Sequence, residues 1–299
     1  MNNSGILQQV VKIEKVNKES ATHFALCNGD EIRYLIALQG GKQRLSQNIA
    51  TYSNKLSLLM KMLNYLSFSV LKVVGLGYYV KAILHSEIEK QYQQTVSDDW
   101  NMIIGTYGGK QKLVLQCFVR TKKMAVFIKI GNDATESEMR AEIAFLSEKH
   151  SFTSFAVPKI LDSKLRDEQF PFNIQVTKEF VGDKVEPELT EDIVRIYHEI
   201  AGTPQTIGGQ EYEFSHGDFA PWNIKKKEDG YVVFDWEHCG MRMKGFDLMH
   251  YVVVSDVMLN GASLSDAYDR AIGMIRKFLP EFNMDRSLFL KEYGRLRLG

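Results

Sequence analysis

From His23 to Leu38 two apolar runs flank Asn28-Gly29, a pattern that predicts a β-hairpin turning at that dipeptide. The pair Gly40-Gly41 then breaks the chain, and the Leu-, Met- and Lys-rich stretch from Asn48 to Gln94 is expected to be helical. The pattern changes near Trp100. Three short apolar runs follow, Asn101 to Ile104, Lys112 to Val119 (KLVLQCFV) and Met124 to Ile130 (MAVFIKI), and they predict strands. Gly105-Thr106-Tyr107-Gly108-Gly109 joins the first two, and a turn at Arg120 to Lys123 joins the second and third. Ser137 to Lys149 reads as a helix with Glu138 and Glu142 one turn apart on one face. Val157 to Leu161 and Phe172 to Val181 predict two further strands, the second ending at Gly182.

After Gly182 the chain is expected to turn mostly helical. Thr190 caps a helix through Glu191 to Ala201, whose acidic start suits the helix dipole. A loop of Gly, Pro and Gln leads to Phe214-Ser215-His216. Short strands around Asn223-Ile224 and from Tyr231 to Phe234 flank the charged turn Lys225 to Gly230, and helices fill the chain from Phe246 onward. The expected architecture is α+β: an N-terminal extension (1–99) of hairpin and helices, a β-rich lobe (100–182) and a mainly helical lobe (183–299).

Composition narrows the class. The 299 residues have room for about two domains, and 44% hydrophobic with 25% charged residues exclude a disordered, collagen-like or coiled-coil chain. Lys plus Arg (37) balance Asp plus Glu (37), so no general positive footprint exists and no nucleic-acid partner is expected. Cys27, Cys117 and Cys239 are too far apart in sequence for a disulfide framework or a structural zinc site. With a start, Met1-Asn2-Asn3-Ser4-Gly5, that lacks a secretory pattern, a cytoplasmic protein is expected. Met62 to Val80 is apolar and about long enough to cross a bilayer. Lys72 at its centre would cost about 2.5–3.5 kcal/mol there, and Gly75 and Gly77 interrupt it. A buried helix and a Gly-hinged second segment are expected instead, with no transmembrane span and peripheral membrane contact left open.

The chemistry concentrates in Ser215-His216-Gly217-Asp218-Phe219-Ala220-Pro221-Trp222-Asn223-Ile224. Asp218 and Asn223 have the Asp-x-x-x-x-Asn spacing of a kinase catalytic loop, where the Asp accepts the acceptor hydroxyl's proton and the Asn holds magnesium. Downstream, Tyr231-Val232-Val233-Phe234 runs into Asp235-Trp236-Glu237, which puts an acid at a strand end as a second metal-site carboxylate. HGDFAPWN followed by VVFDWE closely resembles the aminoglycoside phosphotransferase and choline kinase family, a branch of the protein-kinase-like fold. The resemblance covers about Asn101 to Asp256. It implies a two-lobed protein-kinase-like fold with Asp218 as catalytic base and His216 bracing its loop. Asn223 and Asp235 are implied as Mg2+ ligands, and Asp247 as a structural support of the loop.

Upstream residues extend the resemblance. Lys129 ends the third strand, where the family's phosphate-contacting lysine belongs; Glu142 is its expected partner and Glu138 the alternative. Gly105, Gly108 and Gly109 stand where a phosphate-covering turn belongs, with a simple turn as the other reading. Thr177 to Gly182 matches the link between lobes, so the adenine is expected on backbone groups around Glu179 to Val181. Other patterns carry less. Gly75-x-Gly77 is no dinucleotide fingerprint, and no Walker A loop occurs. His198 and His250 lie in apolar helical patterns and read as satisfied core residues, and Ser215 has no nucleophile elbow.

The resemblance implies an ATP- and Mg2+-dependent kinase acting on a small-molecule hydroxyl, with a sugar or glycan precursor favoured as acceptor. Glu237, Glu186, Glu188, Glu191 and Asp192 are read either as a pocket for a cationic acceptor or as solvated surface. A catalytically idle kinase-like module, binding nucleotide or a partner protein, is the alternative. A protein kinase is disfavoured by Gly217 in place of Arg and by Asp235-Trp236-Glu237 in place of D-F-G.

Overall fold

The first hairpin pairs His23 with Ala37 and Asn28 with Glu31, so its two-residue turn is Gly29-Asp30, one position beyond the dipeptide read as the turn. This computed structural model describes residues 5–42, 45, 66–92, 100–119 and 124–298. They divide into two units, Met1–Ile143 with Pro158–Val181, and Ala144–Val157 with Gly182–Gly299. The turn expected at Arg120 to Lys123, and residues 48–65 and 93–94 of the expected helical stretch, lie outside the described residues.

The first unit is built on an antiparallel sheet of nine strands. These are β1 (Val11–Lys15), β2 (His23–Asn28), β3 (Glu31–Ala37), β4 (Gly77–Leu84), β5 (Asn101–Ile104), β6 (Leu113–Val119) and β7 (Met124–Gly131), then β9 (Ile160–Lys164) and β10 (Asn173–Lys178). Strand β8 (Phe155–Ala156) belongs to the second unit. The spatial order is β1-β4-β2-β3-β5-β6-β7-β10-β9. The described residues also form helices α1 (Ile6–Val10), α2 (Phe68–Val73), α3 (Ser86–Tyr92) and α4 (Glu136–Ser147).

Tyr34 pairs with Ile103 and Leu35 with Met102, so strands β1 to β4 continue the sheet of the β-rich lobe. An uncovered β5 edge would leave a row of unpaired N–H and C=O groups, which β3 satisfies. That pairing is long-range and leaves no local mark in the sequence. One expectation changes here: Gly77–Leu84 is a strand and not part of a helix, with Val80, Ala82 and Leu84 buried while Lys81 and Ile83 are exposed. Period two with aromatic and β-branched residues suits a pleated surface. Of the apolar run Met62 to Val80, residues 62–65 lie outside the described set, and the rest forms α2, a turn at Val74-Gly75 and the start of β4. Among the described residues no helix is long and apolar enough to cross a membrane.

The two faces of the sheet bury different residues. Leu35, Val80, Leu115 and Ile174 join one cluster, while Phe24, Ile36, Leu71 and Tyr79 join the other. Each such side chain contributes about 1.5–3 kcal/mol by leaving water. On β7 the core residues Val126, Ile128 and Ile130 alternate with Phe127 and Lys129, so the pleat turns Lys129 away from that cluster.

The second unit carries two small sheets beside its helices. One sheet has the order β11-β14-β15-β8, formed by β11 (Asp183–Lys184), β14 (Ile224–Lys227), β15 (Gly230–Val233) and β8. The other joins β12 (Gln205–Ile207), β13 (Gln210–Ser215) and β16 (Gly240–Met243). The loop expected before Phe214 is therefore a hairpin, with Ile207 opposite Gln210 across Gly208-Gly209. Its strands are mostly polar and exposed, so no hydrophobic alternation announces it. Helix α5 (Glu191–Ala201) starts at Thr190, whose Oγ1 accepts from Ile193 N as expected. Helix α6 (Phe246–Asn260) is buried at every position from Phe246 to Ser255, as its near-continuous apolar sequence requires. Helices α7 (Leu264–Ile275) and α8 (Arg286–Leu298) follow.

Candidate functional site

In the second unit, Ile224 lies opposite Val233. One residue farther out the Phe234 amide donates to the Asn223 carbonyl at 3.0 Å. The chain between Asn223 and Asp235 is thus a β-hairpin whose open end sets the two residues side by side. His216 ties the preceding loop to the same end. Its Nε2 donates to the Phe234 carbonyl at 3.0 Å, and its Nδ1 accepts the Asp218 amide at 3.2 Å. Complete burial holds the imidazole below its usual pKa, outweighing the nearby Asp247 and Asp218 carboxylates, so the ring stays neutral with its proton on Nε2. The Trp236 ring lies against it at 4.5 Å between centroids.

Asp247, in the first turn of α6, anchors the loop from below. Its Oδ1 accepts from Ser215 Oγ (2.7 Å) and the Gly217 amide (3.1 Å), and its Oδ2 from the His216 amide (2.7 Å). Ser215 is thereby a loop brace, with its hydroxyl committed to Asp247. Gly217 adopts φ 84°, and a Cβ there would lie 2.2 Å from the His238 carbonyl oxygen, so no other residue fits.

The Asp218 carboxylate sits in this frame with both oxygens engaged. Asn223 Nδ2 donates to Oδ2 at 3.0 Å and also to the Asp218 carbonyl at 2.8 Å. His250 Nε2 lies 2.9 Å from Oδ1. A quarter of the Asp218 side chain (25%) remains exposed. Asp235 has φ 71° and is the only non-glycine with positive φ among the described residues. Such a conformation costs about 1–3 kcal/mol and persists where its surroundings impose it. They do so here: Trp236, fully buried, donates Nε1 to the Val233 carbonyl at 2.9 Å and closes the turn around Asp235. A partly open carboxylate held by two donors can accept a proton. An amide and a carboxylate are the hard oxygen donors that magnesium prefers.

The first unit carries the remaining expected residues. Lys129 Nζ lies 2.6 Å from Glu142 Oε2, on α4, and the carboxylate is almost fully buried. Glu138, the alternative partner, is engaged elsewhere: it binds Lys110 (3.0 Å) and Lys112 from the glycine-containing turn. Burial raises the Glu138 pKa, but the hydrogen bonds and charges of Lys112 and then Lys110 outweigh it and hold the carboxyl below its usual range. Gly105 donates its amide to the Lys112 carbonyl at 2.9 Å, and a Cβ on it would lie 2.7 Å from that oxygen. Gly108 and Gly109 lie in the exposed part of the turn. The Glu179 amide donates to the Ala125 carbonyl at 3.0 Å, and its Oε1 accepts from Gln116 Nε2 at 2.9 Å. Val181, half-exposed, ends the unit.

The second unit thus brings together Asp218, Asn223, His216 and the strand end that carries Asp235, and the first pairs Lys129 with Glu142. His250 is buried as its apolar helical pattern implies, and its Nε2 also meets the Asp218 carboxylate, a contact that the sequence reading does not include. The available signal was its position three residues after Asp247, which shares a helix face with it. Of the acidic residues weighed for a cationic acceptor, Glu237 lies close to Asp235, with carboxylate oxygens within 4.8 Å. Glu186 pairs with Lys184, and Asp192 pairs with Arg195 and accepts from the Tyr231 hydroxyl. Glu188 and Glu191 are exposed.

No protein-family model matches the chain, and no curated protein matches its sequence. Among solved structures it is similar to an amicoumacin kinase in complex with AMP-PNP and Ca2+, at TM-score 0.41 and 12% identity over 71% of this chain and 84% of that one. It is similar to a microcompartment-associated aminopropanol kinase at TM-score 0.43 and 11% identity, over 71% and 86% of the two chains. A spectinomycin phosphotransferase in complex with ADP and spectinomycin gives TM-score 0.43 and 10% identity, over 72% and 85%.

Proposed function

We propose that the chain is an ATP-dependent phosphotransferase that moves the γ-phosphate to a hydroxyl of a small molecule, a sugar or glycan precursor. The observation that carries the proposal is the Asp218 carboxylate, held through both oxygens on a braced loop and still open to solvent. In this reading Asp218 takes the acceptor hydroxyl's proton as that oxygen bonds to the γ-phosphorus. The bond from γ-phosphorus to the bridging oxygen breaks and ADP leaves. Asn223 and Asp235 would hold Mg2+, whose charge offsets that of the β- and γ-phosphate oxygens. Asn223 gives its amide nitrogen to Asp218, so its oxygen is the end that meets the ion. Lys129, oriented by Glu142, neutralises the α- and β-phosphates. The backbone of Gly105, Gly108 and Gly109 covers the phosphates, and that of Glu179 to Val181 receives the adenine. The pairing of Glu186 with Lys184 and of Asp192 with Arg195 supports a neutral polyhydroxyl acceptor over a cationic one.

Incubation with γ-labelled ATP, Mg2+ and a pool of sugars and amino-alcohols tests the reading. Asp218→Asn is expected to bind ATP as the wild type does and to lose transfer by about 10²–10⁴-fold. Equal transfer by the variant defeats the assigned roles. ATP binding by the wild type with neither transfer nor hydrolysis identifies an idle module instead.

A further inference from the structure

Helix α6 sends two side chains to one loop. Asp247 takes the backbone amides of His216 and Gly217, and His250, three residues on and on the same face, reaches the Asp218 carboxylate. His250 is 1% exposed in a helix whose neighbouring positions Leu248, Met249, Tyr251 and Val252 are all apolar or aromatic and buried. Packing alone does not call for an imidazole there. Among the described residues its buried Nδ1 has no hydrogen-bond partner, so the ring's polar contact is made through Nε2, at 2.9 Å from Asp218 Oδ1. A side chain kept only to fill the core would leave no buried polar atom unmet. The Phe246 and Tyr293 rings, at 5.7 and 5.6 Å between centroids, confine it to this orientation.

We infer that His250 is a positioning residue for phosphoryl transfer: its Nε2–H fixes Asp218 Oδ1 as Asn223 fixes Oδ2, which sets the carboxylate plane that meets the acceptor hydroxyl. The inference rests on the proposed phosphotransferase reading. Two donors from different elements, a helix and the loop itself, remove the rotation about the Asp218 side chain that a single donor would leave. A small misplacement of a reacting group lowers rate by up to about 10²-fold without loss of substrate binding.

The test uses the full chain with MgATP and water as the acceptor. His250→Leu removes the donor and keeps an apolar volume, whereas His250→Gln keeps an N–H that can reach Oδ1. Expected are a kcat for hydrolysis lowered roughly 10–100-fold in His250→Leu with KM for ATP unchanged, and recovery of most of that loss in His250→Gln. In wild type carrying 15N-labelled histidine, the His250 ring should be protonated on Nε2, and that signal should move in Asp218→Asn. If Asp218→Asn abolishes hydrolysis while His250→Leu turns over like wild type, the inference is overturned and the phosphotransferase reading stands. Equal loss in the Leu and Gln variants, or a KM that rises with the fall in kcat, also overturns it as a purely structural effect. If Asp218→Asn itself hydrolyses ATP like wild type, the phosphotransferase reading fails and takes the inference with it.

Discussion

Lys129 pairs with the buried Glu142, Nζ 2.6 Å from Oε2, with 16% and 3% of their side chains exposed. Breaking such a pair by removing one partner costs about 3–5 kcal/mol, whereas replacing both by apolar groups is often neutral. Lys129→Met and Glu142→Leu should each lower the urea midpoint of the first unit, and the double variant should recover most of it. ATP turnover should stay lost in all three. A double variant as unstable as the single ones would show that the pair matters through packing and not through charge.

Gly217 leaves no room for a side chain. Gly217→Ala places a Cβ against the His238 carbonyl and forces a left-handed conformation on a residue that resists it. A loss of at least about 2 kcal/mol in unfolding free energy is expected, together with loss of turnover because the residue immediately precedes Asp218. Thermal denaturation of the purified variant checks the first part.

His23 predicts an acid sensitivity of the first unit. Its Nε2 donates to the Trp100 carbonyl at 2.8 Å and its Nδ1 lies 2.8 Å from Thr22 Oγ1. Burial pushes its pKa down to about 4, against the opposing pull of the Trp100 carbonyl. Between about pH 6.5, where the unfolded imidazole titrates, and about pH 4 the unfolded chain binds a proton that the folded chain does not. Stability is therefore complete above about pH 6.5 and falls as the pH drops through that window. His23→Gln should lose about 2–3 kcal/mol less than wild type between pH 7 and pH 4.5, read from urea midpoints at the two pH values.

Asp235 separates fold from chemistry. Asn tolerates positive φ nearly as well as Asp, whereas a β-branched residue does not. Asp235→Asn should keep the wild-type melting temperature and need roughly tenfold more Mg2+ for half-maximal turnover, about 1.4 kcal/mol of ion binding. Asp235→Val should melt earlier. An unchanged Mg2+ requirement in Asp235→Asn would remove Asp235 from the metal site.

Much of the second unit's site was legible because its elements are local. HGDFAPWN and VVFDWE are contiguous, and the chain between them is a short hairpin whose register follows from its own turn. Lys129 and Glu142 were legible for a similar reason: a strand and the helix after it present successive residues at fixed periods. Strand β4 was misread because its run began inside a Leu- and Met-rich stretch, and its pairing with β1 and β2 involves segments far away in sequence. The role of Glu138 was equally hidden, since its partners Lys110 and Lys112 reach it across a fold of the sheet.

By itself the sequence determined which residue types stand at which spacings, and hence the loop, the hairpin and the strand lysine. Tertiary structure alone decided that strands β1 to β4 share one sheet with the β-rich lobe, and that His250 meets Asp218. The reason is physical. Propensity and periodicity act over a few residues, while strand neighbours and the reach of a buried side chain are chosen by the burial of distant apolar surface. No local pattern encodes that choice.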